Sequence, residues 1–341
     1  MANSKKVLLT GGAGYIGSHT AVELIQQGFD VVVLDDFSRS EKRMVDGIEK
    51  ITGRKVAYYQ GNCTDEKFLD SVFSKENFDS VIHFAAYKSV NESVEQPLLY
   101  YKNNVGSITA LLKAMDKFRV NEIIFSSSCT VYGEPDRIPV DESAPFKKAE
   151  SAYGATKQMC ERILEDCIQA NKELRSVSLR YFNPVGAHPS ALIGELPIGT
   201  PSNLVPYVTQ TAAGIRQKLT VFGNDYNTAD GSCVRDFIHV VDLAKAHVMA
   251  LQKVVVLENR NEVFNLGTGI GVTVLDLVKR FIKTTGKPLN YEVGPRRAGD
   301  VEKIYADPAK AANILGWRTQ LSLEDSLLHA WQWEKQIRGI K

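Results

Sequence analysis

The sequence lacks three features that would assign the protein to a particular functional class. Its charges nearly cancel, 41 Lys and Arg against 40 Asp and Glu, whereas nucleic-acid binders usually carry a basic excess. Its 5 cysteines form no Cys-x-x-Cys pair, which disfavours a disulfide scaffold or a zinc site. No apolar run is long enough to span a membrane, and Met1 to Ser4 leave no room for a signal peptide before the first apolar run. We therefore expect a cytoplasmic enzyme that binds neither nucleic acid, nor membrane, nor metal.

The N-terminal half alternates short β-rich runs with segments of helical period. Strands are predicted at 7–10, 31–34, 56–59, 81–85, 123–126 and 177–181, and helices at 15–27, 65–74, 97–118 and 153–170. Most of the strand runs are almost continuously apolar, as expected for strands buried on both faces. This alternation predicts an α/β fold of Rossmann type, a doubly wound parallel sheet with right-handed crossovers.

The pattern changes after residue 182. Residues 183–231 are rich in Gly, Pro and Asn and are predicted to be mostly loop. Helical period returns at 242–253, 273–285, 308–315 and 322–336. We expect residues 1–182 to form the Rossmann domain, with later segments at 236–265 returning to it. Residues 183–341 then form mainly a smaller, mixed α/β C-terminal lobe.

A glycine-rich turn follows the first predicted strand. Gly11, Gly14 and Gly17 permit a tight turn that delivers a pyrophosphate to the N-terminus of the next helix. The spacing alone also fits an ordinary glycine turn. However, Asp35 ends the second predicted strand, where a carboxylate accepts adenosine ribose hydroxyls and repels a 2′-phosphate. The combination predicts NAD rather than NADP, with Arg39 nearby as a solvated loop residue.

A candidate catalytic group begins the predicted helix 153–170. Tyr153 and Lys157 are four residues apart and so share one helix face. A nearby ammonium lowers the pKa of a tyrosine from ~10 towards neutrality, which makes the phenol a usable general acid or base. An ordinary surface pair is the alternative. Ser128, just after the fifth strand, favours a site because its hydroxyl can bridge Tyr153 and a substrate oxygen.

These motifs resemble those of the extended short-chain dehydrogenase/reductases over essentially the whole chain. Four further runs carry the resemblance, at 180–189, 222–226, 230–236 and 295–300. Within the family it points to the nucleotide-sugar 4-epimerases. It implies reversible epimerisation of UDP-glucose and UDP-galactose at C4 through a 4-keto intermediate, with hydride transfer to and from tightly bound NAD. It also implies a homodimer formed through helices 97–118 and 153–170, and a C-terminal lobe that binds the nucleotide-sugar.

The same resemblance assigns roles to individual residues. Tyr153 is the acid/base, Lys157 is its electrostatic partner, and Ser128 holds the 4-oxygen of the sugar. The implied cofactor residues are Gly11, Gly14, Tyr15, Ile16, Gly17, Asp35, Asn62, Cys63, Phe84, Ala85, Lys88, Asn103, Tyr153, Lys157 and Tyr181. The implied substrate residues are Ser128, Tyr153, Asn183, Asn203, Leu204, Thr220, Phe222, Arg235, Arg297, Asp300 and Ile304.

Two of these positions depart from the family pattern or vary within it. Asn62 stands where relatives usually have Asp, and its carbonyl is expected to accept a hydrogen bond from the adenine amino group. Ile304 occupies the position that gates the sugar pocket. We expect UDP-glucose and UDP-galactose as the main pair, with N-acetylated sugars accepted weakly or not at all.

Two other functions remain open at this stage. A nucleotide-sugar 4,6-dehydratase would need further acid/base residues after the fifth strand, where this chain has Cys129 and Thr130. A regulator that only senses NAD would not need Tyr153, Lys157 and Ser128 together. Absorbance in the reduced-nicotinamide band after addition of a UDP-sugar would separate the enzyme from the regulator.

Overall fold

The computed structural model describes residues 4–297 and 300–341, so that two residues of the run 295–300 lie outside the described part. The first strands in chain order are β1 (Lys6–Thr10), β2 (Asp30–Asp35), β3 (Ala57–Gln60), β4 (Ser80–His83), β5 (Glu122–Ser128) and β6 (Arg175–Tyr181). The helices among them are α1 (Tyr15–Gln26), α2 (Arg43–Thr52), α3 (Glu66–Lys75), α4 (Val90–Glu95), α5 (Pro97–Tyr100), α6 (Gly106–Lys117) and α7 (Ala152–Ala170).

The later part of the chain is more mixed. Its strands are β7 (Asn183–Val185), β8 (Leu219–Phe222), β9 (Val234–Arg235), β10 (Phe237–His239), β11 (Asn261–Leu266), β12 (Val272–Thr273) and β13 (Tyr291–Gly294). Its helices are α8 (Leu204–Ala212), α9 (Val240–Lys253), α10 (Val274–Thr285) and α11 (Leu323–Arg338). A π-helical turn, Ala311–Leu315, lies where 308–315 was predicted to be helical.

The central sheet confirms the predicted Rossmann-type fold. Its seven strands run in the order β11-β6-β5-β4-β1-β2-β3, and every pair is parallel. Successive residues of β1 pack on opposite faces, Leu8 with one helical layer and Leu9 with the other. The strand order reverses beside β1, and such a switch point opens a crevice at the carboxyl ends of the strands.

Several boundaries differ from the sequence prediction. Helices α2 and α4 were missed, although Met44, Val45 and Ile48 of α2 are buried with helical spacing. The predicted helix 97–118 is divided into α5 and α6 by a π-helical turn, Tyr101–Val105. Residues 183–231 are mostly loop, as predicted, but they contain β7, α8 and β8. Pro206 lies in the first turn of α8, where proline is tolerated.

The C-terminal lobe has its own small core beside the carboxyl ends of the sheet. Three two-stranded sheets, β10-β7, β12-β9 and β13-β8, support it. Helices α8, α10 and α11 bury Val208, Phe281 and Trp331 against one another. Strand β11 returns to pair with β6 in the central sheet. Across residues 4–297 and 300–341, no helix is both long enough and apolar enough to cross a bilayer.

Candidate active site

A cavity of about 400 Å³ opens at the carboxyl ends of the central strands. It is called the cofactor cavity below because it brings together every residue predicted to bind the cofactor. They are Gly11, Gly14, Tyr15, Ile16, Gly17, Asp35, Asn62, Cys63, Phe84, Ala85, Lys88, Asn103, Tyr153, Lys157 and Tyr181. The residues lie at or after the carboxyl ends of β1, β2, β3, β4 and β6, in the π-helical turn Tyr101–Val105, and at the starts of α1 and α7.

The glycine turn between β1 and α1 suits an anion. Gly14 is the N-cap of α1 and offers no side-chain cap, so the N–H groups of the first turn face outward. A Cβ atom on Gly11 would lie 2.7 Å from the Ala85 nitrogen, and one on Gly17 would lie 2.5 Å from the Gly11 carbonyl oxygen. Only glycine therefore permits this close turn. Free amides at a helix N-terminus are the usual binding site for a pyrophosphate, so the turn fits a dinucleotide.

Asp35 lines the cavity but has less free hydrogen-bonding capacity than predicted. Its Oδ2 accepts a bond from the Ala13 N–H at 3.0 Å, and its Oδ1 accepts bonds from Phe37 N at 3.0 Å and Ser40 Oγ at 2.8 Å. A carboxylate offers about four acceptor sites, so room remains on Oδ2 for one ribose hydroxyl rather than two. Burial raises the pKa of Asp35, and these three hydrogen bonds lower it.

Three residues at the rim of this cavity have partners within the chain. Arg39 is a loop residue whose side chain is half exposed, and its Nη2 lies 2.6 Å from Glu92 Oε1. The Asn62 carbonyl, expected to meet adenine, accepts bonds from the N–H and hydroxyl of Thr64, each at 2.8 Å. Lys88, expected as a cofactor ligand, donates to Glu195 Oε1 at 2.6 Å. All of these residues still line the cavity.

The catalytic candidates lie on the inner wall. Ser151 caps α7, which starts one residue before Tyr153 and places Tyr153 and Lys157 on the same buried face. Lys157 Nζ lies 5.8 Å from the centre of the Tyr153 ring and donates to the Ser126 carbonyl at 2.6 Å. Ser128 Oγ accepts bonds from Thr130 N at 3.2 Å and Thr130 Oγ1 at 3.0 Å. Its own proton is then left to donate to Tyr153 or to a ligand.

The expected lowering of the Tyr153 pKa is not found, because burial has the larger effect. Tyr153 is 7% exposed and Lys157 only 3%. Burial raises the pKa of Tyr153 well above its usual range, and the nearby Tyr181 raises it further, while the hydrogen bond with Ser128 lowers it. Burial also lowers the pKa of Lys157 to about 8. In this geometry burial therefore opposes the phenolate form of Tyr153, and the Lys157 ammonium beside it is mostly charged near neutral pH.

The predicted nucleotide residues form a second group on the C-terminal lobe. Arg297 binds Asp300 through two contacts, 2.7 Å from Nη2 to Oδ1 and 3.1 Å from Nε to Oδ2. Arg235 Nη2 lies 3.6 Å from the same carboxylate. The guanidinium carbon of Arg297 lies 5.3 Å from the centre of the half-exposed Phe222 ring. Two guanidinium groups beside an aromatic face form an arrangement that suits a nucleoside diphosphate.

The remaining substrate candidates lie on several different elements. Asn203 is the N-cap of α8, and Leu204 is the first residue of that helix. Asn183 begins β7, and Thr220 lies on β8 with its hydroxyl 3.3 Å from Glu292 Oε1. Ile304 is buried with Val131, Tyr132, Val140 and Phe182, so it supports the segment after Ser128 rather than lining the cofactor cavity.

The histidine and cysteine side chains add no further chemistry to the site. His19 is buried, with Nδ1 2.7 Å from the Tyr15 carbonyl oxygen, as expected for a packing residue. His239 caps α9 through Nδ1. Burial raises the pKa of the Cys129 thiol to about 12, so it is not an activated nucleophile. In the described part of the chain, no group of three metal-ligating side chains comes together.

Sequence reasoning missed two acidic residues at the site. Glu195 lines the cofactor cavity and binds both Lys88 and Asn203. Glu161, buried on α7, forms an ion pair with Arg180 Nη2 at 2.6 Å and accepts a hydrogen bond from Ser127, so it ties the catalytic helix to β5 and β6. Glu195 lies in the loop-rich run at the carboxyl edge, a signal that could have identified it. Glu161 offers no such signal.

Comparisons with known proteins agree with this geometry. Residues 7–267 match the model of the NAD dependent epimerase/dehydratase family. The chain is 48% identical over 336 residues to a UDP-glucose 4-epimerase of Bacillus subtilis, covering 98% of each chain. It is 49% identical over 330 residues to a UDP-glucose 4-epimerase of Yersinia enterocolitica, covering 96% of this chain and 97% of the relative. A solved UDP-glucose 4-epimerase of Bifidobacterium longum, in complex with NAD+ and UDP, superimposes with a TM-score of 0.95 and 44% identity over 99% of this chain and 100% of that one.

Proposed function

The chain belongs to the NAD dependent epimerase/dehydratase family, and from this premise we propose that it interconverts UDP-glucose and UDP-galactose at C4. The observation that carries the proposal is the placement of Tyr153 and Lys157 on one buried helix face, close to Ser128 and inside a dinucleotide cavity. Arg235 and Arg297 stand on the adjoining lobe, where a UDP diphosphate needs positive charge. We also propose that residues 183–341, apart from the segments at 236–265 that return to the Rossmann domain, form the nucleotide-sugar lobe.

Tyr153, Lys157 and Ser128 have different roles in the proposed reaction. Tyr153 takes the proton from the sugar 4-hydroxyl and returns it to the 4-oxygen after the sugar has turned. Lys157 stabilises the phenolate form of Tyr153 that exists before the proton is taken and after it is returned, and Ser128 donates a hydrogen bond to the 4-oxygen. The glycine turn and Asp35 would hold NAD, which would supply the redox chemistry by exchanging a hydride with C4. The sugar must be held loosely enough to turn, so the nucleotide contacts carry most of the binding.

A dehydratase of the same family is the second candidate, and the residues after β5 argue against it. Elimination of water needs an additional acid and base there. The Cys129 thiol has a pKa raised by burial to about 12. The Thr130 hydroxyl donates to Ser128 at 3.0 Å. Neither group can exchange a proton with the substrate near neutral pH, which leaves epimerisation.

Incubation with four UDP-sugars tests the function directly. UDP-glucose, UDP-galactose and their two N-acetyl counterparts are each incubated with the protein, and the products are separated by chromatography. We expect interconversion of the first pair and slow or no conversion of the second, because an N-acetyl group needs extra room beside C2 of the sugar. A dehydrated 4-keto sugar as the final product would contradict the proposal, and so would no conversion of any substrate.

Asp35→Ser is expected to relax the preference for NAD. The Asp35 carboxylate at the end of β2 would lie close to the 2′-phosphate of NADP and repel it. Removing the carboxylate therefore eliminates a short-range repulsion. The dissociation constant for NADP divided by that for NAD, measured by calorimetry, is expected to fall about tenfold or more, a change of ~1.4 kcal/mol. Equal affinities for the two cofactors in the unmodified protein would refute the assignment.

We further propose that the protein is a homodimer, with α4, α5 and α7 at its interface. Leu98 on α5 is 81% exposed, and Val94 and Met159 on the neighbouring helices are also exposed. An apolar group of this kind is common where a second copy binds. We propose a cytoplasmic location, supported by five cysteines that are all free thiols.

Leu98→Glu is expected to convert the dimer to a monomer. The substitution places a charge in the apolar interface, where it would lose its hydration without gaining a partner. Analytical ultracentrifugation at micromolar concentration measures the change, and Ile270→Glu, at an exposed residue of the C-terminal lobe, is the matched control. A monomeric unmodified protein, or an Ile270→Glu variant that also dissociates, would count against this interface.

A further inference from the structure

Glu195 joins two regions that the proposed function keeps separate. Its carboxylate Oε1 accepts a hydrogen bond from Lys88 Nζ at 2.6 Å and another from Asn203 Nδ2, also at 2.6 Å. Lys88 lines the cofactor cavity, and Asn203 is the N-cap of α8 on the nucleotide lobe. The Glu195 side chain is only 10% exposed. A carboxylate buried to that extent needs partners, so these contacts are not incidental surface pairing.

Glu195 also begins one wall of the cofactor cavity. The segment 194–202 contributes Gly194, Glu195, Leu196, Pro197, Ile198, Thr200 and Ser202 to the cavity lining. Lys88 belongs to a different part of that lining, 85–89, which follows β4. The Glu195–Lys88 ion pair therefore connects two walls that are 107 residues apart in the chain. Opening the cavity by moving segment 194–202 must break this pair.

The backbone of Glu195 is fixed by contacts of residues 194 and 195 with Trp333. The Trp333 indole N–H on α11 donates to the Glu195 carbonyl at 2.9 Å. Gly194 packs so closely on the same indole that a Cβ atom there would lie 2.5 Å from the ring. Trp333 is itself buried in the main core. With its backbone fixed in this way, Glu195 holds Lys88 and Asn203 in place rather than following them.

We propose that Glu195 is a positioning residue that retains NAD in its cavity and couples its retention to nucleotide binding at α8. The inference rests on the proposed function, in which the same NAD molecule must stay bound while the sugar turns. Breaking the contacts of the Glu195 carboxylate frees Lys88 and Asn203, so that the cavity walls that carry them separate and NAD is released sooner. Because Asn203 is bound to the same carboxylate, UDP at the adjoining lobe stabilises the closed segment and slows NAD release.

Glu195→Gln tests the inference, because it keeps the size of the side chain and removes its charge. Protein loaded with radiolabelled NAD is mixed with excess unlabelled NAD, and the loss of label is followed with and without UDP. We expect release about tenfold faster than in the unmodified protein, equivalent to ~1.4 kcal/mol, and a smaller slowing by UDP. Trp333→Phe, which removes the indole hydrogen bond and part of the ring that packs on Gly194, is expected to increase the rate by a smaller factor.

The matched control is Glu66→Gln, which breaks the exposed Glu66–Lys113 ion pair between α3 and α6. We expect it to release NAD at the unmodified rate. Release from Glu195→Gln at that same rate overturns the retention role, and an unchanged effect of UDP overturns the coupling. The measurement needs no turnover. If the protein holds NAD but converts no UDP-sugar, the proposed function is refuted, and the release measurement still tests the role of Glu195. If the protein holds no NAD, both proposals are refuted.

Discussion

Tyr153→Phe is expected to slow epimerisation by about 10²-fold or more, the range that general acid–base catalysis supplies. The substitution keeps the ring, which fills a buried position at the start of α7, and removes only the hydroxyl that exchanges a proton with the sugar. NAD and UDP are both expected to remain bound, because the binding of neither molecule needs the Tyr153 hydroxyl. The loss should therefore appear in kcat, with little change in the KM for UDP-galactose.

The control for this variant is Tyr59→Phe, which removes a hydroxyl bound to Glu76 outside the cavity. Its turnover is expected to match the unmodified protein. NAD content, measured after denaturation, shows whether the Tyr153 variant still holds cofactor. Near-normal turnover with a full complement of NAD would remove Tyr153 from the mechanism.

Arg235→Met is expected to weaken UDP binding by about 10²-fold. Arg235 is mostly buried, and the loss of a hydrogen bond to a charged group typically costs ~1.5–3 kcal/mol. The variant also removes the guanidinium that suits a diphosphate, while the long apolar chain of Met preserves packing. Isothermal titration with UDP measures the change.

Arg296→Met provides the comparison, since Arg296 is exposed and is paired with Asp225. We expect it to leave the UDP dissociation constant within about twofold of the unmodified value, as is common for exposed pairs. Equal losses in the two variants would mean that positive charge on this lobe acts in general, and that Arg235 has no specific place in the site.

The sequence predicted the central sheet well because its signals are local. Buried parallel strands appear as short apolar runs, and the turn after β1 needs glycine for reasons of space. The errors in the predicted helices also have local causes. Helix α2 carries many charged side chains that masked its apolar face, and a π-helical turn interrupts the helix predicted at 97–118. A π-helical turn has no simple residue pattern, yet this one contains Asn103, which faces the cofactor cavity.

The site was predicted as a set of residues but not as a set of contacts. The type of a residue indicates what it can bind, but distant parts of the chain decide which partner it finds. Lys88 is paired with Glu195, and most of the hydrogen-bonding capacity of Asp35 is used by Ala13 in the glycine turn and by Phe37 and Ser40. The same limit explains the Tyr153 pKa, because burial, which outweighs the neighbouring cation, is a property of the folded chain.

The most direct test of the account follows the hydrogen at C4. UDP-galactose carrying deuterium at C4 is incubated with the purified protein in ordinary water, and the UDP-glucose formed is examined by mass spectrometry and proton NMR. The account predicts that the deuterium is retained at C4 of the product, because it leaves and returns as a hydride within one site. Exchange of the C4 deuterium for a solvent proton would contradict the account, because it would mean that C4 is deprotonated rather than oxidised.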